Sequence, residues 1–165
     1  TNSITKALIR LTDSDGCIAP IFISVDPKLD DFSAYHQASV ITPNMEELRR
    51  ASGTEIVDES ALVQVGQQLL TRAELDYLLV TRGEEGMTLF ESDSFSHIPT
   101  VAQEVYDVTG AGDTVVACLT LAVTAGASVH QAAILANHAA GIVIGKLGTA
   151  TVTPEEILSS IKNEG

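Results

Sequence analysis

The chain has 165 residues, of which 45% are hydrophobic and 19% charged, a globular composition rather than a disordered one and the length of one ordinary domain. A net charge of −13 sets it against phosphate backbones and anionic lipid, so binding to nucleic acid or a membrane surface is disfavoured. Cys17 and Cys118 are too few and too unpatterned for a disulfide framework or a zinc knuckle. No run of 18 apolar residues offers a transmembrane span and no signal-peptide pattern is present, so a soluble, cytoplasmic protein is expected.

The chain opens on Thr1 rather than Met, in a weakly amphipathic run through Ile4, Ala7, Leu8 and Leu11 that does not read as a domain start. From there short β-type runs alternate with longer helical ones, the pattern of an α/β domain with a mostly parallel sheet. Pro20 to Asp26 (PIFISVD) is a near-continuous apolar strand suited to a sheet covered on both faces. Val40-Ile41-Thr42 is a second, short strand stopped by Pro43, and Asn44 to Ala51 reads as a helix ended by Gly53. Asp58 caps a longer helix whose apolar positions Ala61, Leu62, Val65, Leu69 and Leu70 recur at helical spacing. Tyr77 to Thr81 is a buried strand that turns at Gly83 and Gly86 into Met87 to Glu91, a hairpin-like pair.

After a loop at Pro99 two helices of small apolar residues follow, Asp113 to Thr124 between Gly112 and Gly126, and Val129 to Ile144 capped by Ser128. Their alanines and glycines predict close packing. Thr153-Pro154-Glu155-Glu156 opens the last helix with a capping Thr, Pro at the first helical position and Glu where a capping box requires it. No repeat, low-complexity tract or linker divides the chain, so one domain is expected.

The strongest local feature is Asp107-Val108-Thr109-Gly110-Ala111-Gly112-Asp113-Thr114. A Gly-Ala-Gly run at a helix start lets several N–H groups converge on an anion at the positive end of the helix dipole. Such a site binds phosphate without Lys or Arg, which reconciles it with the acidic composition. It is not a Walker P-loop, because the spacing differs and no Lys-Ser/Thr follows. Asp113 beside an anion site is explained if its carboxylate takes the proton of a hydroxyl attacking phosphorus. The plainer alternative makes Asp113 a dipole-satisfying acid and the glycines a tight turn.

Asp107 to Asp113 (DVTGAGD) resembles the C-terminal motif of the ribokinase-like (PfkB) sugar kinases. Pro99 to Ala117, Gly141 to Thr151 and Val25-Asp26-Pro27-Lys28 are similar to the heptose-7-phosphate kinase branch of that family, the kinase domains of bacterial ADP-heptose synthases. The resemblance runs over nearly the whole chain. It implies a three-layer α/β/α ribokinase-like fold of which residues 1–165 form the C-terminal, ATP-binding and catalytic-base portion, the sugar-gripping half lying outside these residues.

The same resemblance implies roles. Asp113 falls on the catalytic base, with Gly110, Ala111 and Gly112 as the anion hole for the γ-phosphate of ATP. Asp107 and Thr109 fall on a monovalent-cation (K+) site, with carbonyls near Gly148 completing it. Asn44 and Glu47 match an N-x-x-E element directed at Mg2+ and its waters; ordinary helix capping is the alternative reading. Thr81 and Gly83 match a turn along the nucleotide, with Gly86 making the hairpin, and Asn137 lies on the helix that lines the adenine pocket. His138 is expected at a solvent-facing or capping position. Lys28 and Lys146 are each candidates for phosphate or plain surface lysines.

The implied reaction is ATP-dependent phosphorylation of D-glycero-D-manno-heptose 7-phosphate to the 1,7-bisphosphate in lipopolysaccharide-core precursor synthesis, by a homodimer when full length. The alternatives are another family kinase, acting on ribose, fructose phosphate or a nucleoside, and a non-catalytic nucleotide-binding module.

Overall fold

In the computed structural model, residues 21–101 and 105–163 are described. Five strands form one sheet in the order β1-β2-β3-β4-β5: β1 (Ser24–Val25), β2 (Val40–Ile41), β3 (Tyr77–Thr81), β4 (Met87–Glu91) and β5 (Ser94–Ile98). The helices are α1 (Met45–Ser52), α2 (Glu59–Arg72), α3 (Ala111–Thr124), α4 (Val129–Ile144) and α5 (Pro154–Asn163). β1, β2 and β3 are parallel, with Ser24 opposite Val40 and Ile41 opposite both Val25 and Leu78. Residues 82–86 and 92–93 are too short for a parallel crossover, so β3, β4 and β5 run antiparallel and the sheet is mixed.

The chain divides into two compact units, and its passages between them fall inside β3, β4 and β5. The first unit covers residues up to Val80 together with Leu89–Ser96. Its core sets Ile41, Leu78, Val80 and Phe90 of the sheet against Leu48 of α1 and Leu62, Val65, Leu69 and Leu70 of α2. Each such side chain contributes about 1.5–3 kcal/mol on burial. Gly66 shows how close α2 lies to the sheet: a Cβ there would stand 2.5 Å from the Phe90 ring. The helical spacing read from Ala61 to Leu70 is therefore the buried face of α2, and Asp58 caps it by accepting the Ala61 N–H.

The second unit covers Thr81–Thr88 and His97 onward. Here α3 packs on α4 and α4 on α5. Ala132, Ala133, Ala136, Ala139 and Ala140 are all buried, which is the close approach the small residues predict. Ser128 and Gln131 form a reciprocal capping box at the head of α4. Thr153 and Glu156 form another at α5, with Thr153 N–H to Glu156 Oε2 at 2.8 Å and Glu156 N–H to Thr153 Oγ1 at 3.3 Å.

Three elements differ from expectation. The first strand is confined to Ser24–Val25, because the Ile23 N–H donates to the Ser39 hydroxyl at 2.9 Å instead of a strand carbonyl, and Ile21 is 53% exposed. Pro20 lies outside the described residues. β5 was not legible: Ser94-Phe95-Ser96-His97-Ile98 is mostly exposed and lacks the apolar run that marks a buried strand. α3 starts at Ala111, two residues before the expected Asp113, since Gly110 at φ +82° already turns the chain into the helix.

Candidate active site

The glycine loop lies in the second unit. Gly110 occupies the left-handed region, which favours glycine, and its carbonyl accepts both the N–H and the hydroxyl of Thr114 at 2.9 Å. The Ala111 N–H turns back to the Val108 carbonyl at 3.2 Å. Gly112 and Asp113 have no main-chain N–H partner among the described residues, as expected for the second and third positions of an uncapped helix. Asp113 is exposed, so its carboxylate stands in the same first turn as these two donors. Gly112 has an ordinary φ, and a Cβ on it would meet nothing within 4 Å. Protein packing therefore does not call for glycine at 112; what its missing side chain leaves clear is the approach to the open donors.

Asp107 ties this loop to the end of α4. Its Oδ1 accepts the Thr109 N–H at 2.9 Å and its Oδ2 the Gly148 N–H at 3.2 Å. The N–H groups of Tyr106 and Asp107 both donate to the Ile144 carbonyl, at 2.8 and 3.1 Å. The Asp107 carboxyl is held below the usual carboxylate range, chiefly by hydrogen bonding from the Thr109 side chain, then by the Thr109 and Gly148 N–H groups, with burial opposing. Asp107, Thr109 and Gly148, far apart in sequence, are thus together. Both Asp107 carboxylate oxygens face main-chain N–H donors, and the ionised group is a hard oxygen ligand of the kind that suits an alkali cation. No cluster of three or more His, Cys, Asp or Glu side chains able to hold a metal exists among the described residues.

Lys146 is committed elsewhere in the same unit. Its ammonium donates to the Thr151 carbonyl at 2.8 Å and pairs with Glu156 Oε1 at 2.7 Å. Hydrogen bonds from Lys146 and Thr153 lower the Glu156 pKa. This clamp closes the loop that carries Gly148.

Thr81 ends β3, and Gly83 at φ +60° starts a short 3-10 turn over Gly83–Glu85. Gly86, at φ +82°, is buried: a Cβ there would meet the Ile98 carbonyl oxygen at 2.1 Å, so Gly86 is the hairpin glycine expected. Asn137 is 5% exposed and donates from Nδ2 to the Pro99 carbonyl at 2.7 Å. It lines a cavity of about 210 Å³ with Ile98, Pro99, Val101, Ile134 and three histidines, His97, His130 and His138. His138 is not solvent-facing, contrary to expectation. It is 2% exposed and its Nδ1 lies 2.8 Å from the Ser160 hydroxyl, because the helical turn that points Asn137 inward leaves the next residue under α5. The single sequence signal for that burial was the apolar, alanine-rich stretch on either side of Asn137 and His138.

In the first unit, Asn44 and Glu47 form a reciprocal capping box, Glu47 N–H to Asn44 Oδ1 and Asn44 N–H to Glu47 Oε2, both 2.9 Å. The capping alternative is therefore realised, and it leaves Glu47 Oε1 outside the box. That oxygen stands 3.8 Å from the Lys28 ammonium, which pairs with Asp26 at 2.7 Å. Asp26, which sequence reasoning did not single out, belongs to this cluster at the C-terminal ends of β1 and β2. Such strand ends are where open α/β sheets hold ligands.

The profile of the pfkB family carbohydrate kinases matches residues 2–156. "Bifunctional protein HldE" of Geobacter metallireducens is 51% identical over 140 residues, covering 84% of this chain and 29% of that protein. Among solved structures, the ribokinase of Arabidopsis thaliana complexed with ribose and ATP superposes with a TM-score of 0.86 at 22% identity, over 98% of this chain and 53% of that one. Phosphofructokinase-2 of Escherichia coli in complex with potassium gives 0.85 at 17% identity, over 99% and 52%. At these identities the structures speak for the ribokinase-like fold alone. The chain spans about 30% of the length of the curated relatives it matches and about half of these solved chains. No helix among the described residues is long and apolar enough to cross a membrane.

Proposed function

Because the chain belongs to the pfkB carbohydrate kinase family, we propose that it carries the nucleotide-binding and catalytic-base portion of an enzyme that transfers the γ-phosphoryl group of ATP to a sugar hydroxyl. The observation that carries this reading is the first turn of α3, where the open N–H groups of Gly112 and Asp113 share a position with the exposed Asp113 carboxylate. The acceptor oxygen attacks the γ-phosphorus as its proton passes to Asp113. The O–P bond to the acceptor forms, the bond to the bridging oxygen breaks, and its electron pair leaves with ADP. The N–H groups of Gly110, Gly112 and Asp113 stabilise charge on the transferring group, while the Ala111 N–H, turned back to the Val108 carbonyl, shapes the loop rather than donating to it.

Around that step the other residues bind and orient. Asn137 and the apolar wall of its cavity accept the adenine ring; about 210 Å³ is less than a drug-sized site and suits one ring system. Thr81 and Gly83 flank the nucleotide at the end of β3. Asp107 and Thr109 would hold a K+ ion, which would supply positive charge to the loop when bound. In the first unit, Asn44 and Glu47 would offer oxygens to the water shell of a Mg2+ ion, which would neutralise phosphate charge when bound, and Lys28 would offer an ammonium to phosphate. The committed contacts of Lys146 favour its reading as a structural clamp.

The acceptor we propose is D-glycero-D-manno-heptose 7-phosphate, in a cytoplasmic, homodimeric parent enzyme. Support comes from the three sequence segments similar to that kinase branch and from the 51% identity to a bifunctional relative. ADP release by the full-length protein over a panel of heptose 7-phosphate, ribose, fructose 6-phosphate and adenosine tests it. Turnover confined to the heptose phosphate is the expected result. Turnover on ribose or a nucleoside instead sinks the acceptor assignment but leaves the kinase reading standing, and no turnover on any sugar favours a binding module.

A further inference from the structure

Two main-chain donors in the first unit converge on one buried phenol. Tyr35 closes the 3-10 turn Phe32–Tyr35, is 4% exposed, and packs edge-on against Phe32 with ring centroids 6.1 Å apart. Its hydroxyl oxygen accepts the N–H of Lys28 at 2.9 Å and of Leu29 at 3.0 Å. The segment held this way leaves the end of β1 through Asp26 and the buried Pro27, whose ring fixes φ. A loop leaving a strand end has no ladder partner for its N–H groups, and ordinarily water takes them. Here a phenol reaching out of the core takes both, which fixes where the Lys28 backbone sits. The side chain then extends outward: its ammonium pairs with Asp26 and approaches Glu47 Oε1 while the residue's side chain stays 71% exposed.

We propose that Tyr35 is a positioning residue for Lys28: its hydroxyl anchors the 26–29 turn so that the ammonium stands at the C-terminal ends of β1 and β2, ready for a phosphate oxygen. The inference rests on the reading of Lys28 as a phosphate contact. A tyrosine serving only to fill the core has no need of its oxygen, so Tyr35→Phe keeps the packing and removes the anchor alone.

The test compares Y35F, K28M and the double variant in the full-length kinase, with kcat and KM for ATP and acceptor measured alongside ATP affinity by calorimetry. K28M is expected to lower kcat/KM by about 30-fold and Y35F by about tenfold, since small misplacement of a phosphate-binding group is costly. Y35F in the K28M background is expected to add less than about twofold, because a residue acting through Lys28 has nothing left to act on. Full additivity, or Y35F kinetics equal to wild type, overturns the inference. Wild-type kinetics for K28M instead overturn the phosphate reading of Lys28 itself. Amide hydrogen exchange on the wild type is an arm independent of any variant. Lys28 and Leu29 are expected to exchange at least about tenfold slower than an unprotected loop, and unprotected exchange contradicts the anchor.

Discussion

The turn between β3 and β4 contains two glycines at positive φ whose substitution by alanine separates two physical effects. At Gly83 (φ +60°) a Cβ meets nothing within 4 Å, so the cost is the left-handed backbone alone, about 1–2 kcal/mol. At Gly86 (φ +82°, ψ −125°) the backbone lies in the mirror-β region that glycine alone enters readily, a cost at least as large, and the Cβ also meets the Ile98 oxygen at 2.1 Å, the Thr100 nitrogen at 2.6 Å and the Pro99 carbonyl carbon at 2.7 Å. All three are backbone atoms that cannot rotate aside, and forcing a methyl into such a space costs about 1–3 kcal/mol or more. G86A is therefore expected to destabilise by about 2–5 kcal/mol and G83A by about 1–2 kcal/mol. Urea denaturation of both variants, analysed by midpoint and slope, measures the difference. Function should order them oppositely: G83A, altering the exposed turn proposed to flank the nucleotide, is expected to weaken ATP binding about tenfold although it is the less destabilising of the two. Equal destabilisation by the two substitutions would refute the steric argument.

Asp107 and Glu156 both have folded pKa values below the ordinary carboxylate range, from the hydrogen bonds each accepts. A depressed folded pKa contributes stability above the unfolded value, about 3.9 for Asp and 4.3 for Glu, and that contribution is lost as pH falls through the folded value. Acid titration of the unfolding midpoint from pH 5 to 2 should therefore fall less steeply for D107N and for E156Q than for wild type, and parallel curves would contradict the assignment. Asn137→Ala removes the bond to the Pro99 carbonyl and one wall of the 210 Å³ cavity. It is expected to raise KM for ATP about tenfold with little change in kcat; the reverse pattern would take the adenine out of that cavity.

What the sequence disclosed follows from how local each interaction is. Helix starts were legible because a cap and its partner sit three residues apart: Asn44 with Glu47, Ser128 with Gln131, Thr153 with Glu156. The α2 face was legible because periodicity records burial directly. β5 was not, since an exposed strand carries no apolar signature, and neither was the burial of His138, which depends on where α5 lands. The open N–H groups of the glycine loop were legible because they sit at a helix start read from consecutive residues. Joining Asp107 to Gly148 needs the α4 end to return past it, a contact across 41 positions that only the family resemblance suggested. Tyr35 carried no signal at all: its part depends on a phenol meeting two backbone N–H groups several residues earlier, and nothing in the residue types marks that.

The central claim is that Asp113 takes the acceptor's proton beside the open donors of α3. The direct measurement is kcat for D113A in the full-length enzyme with heptose 7-phosphate, together with the Kd for ATP. General-base loss predicts a fall in kcat of at least about 10²-fold with ATP affinity within about twofold of wild type. Turnover at the wild-type rate would contradict the role given to Asp113 and, with it, the reading of the loop as a catalytic site.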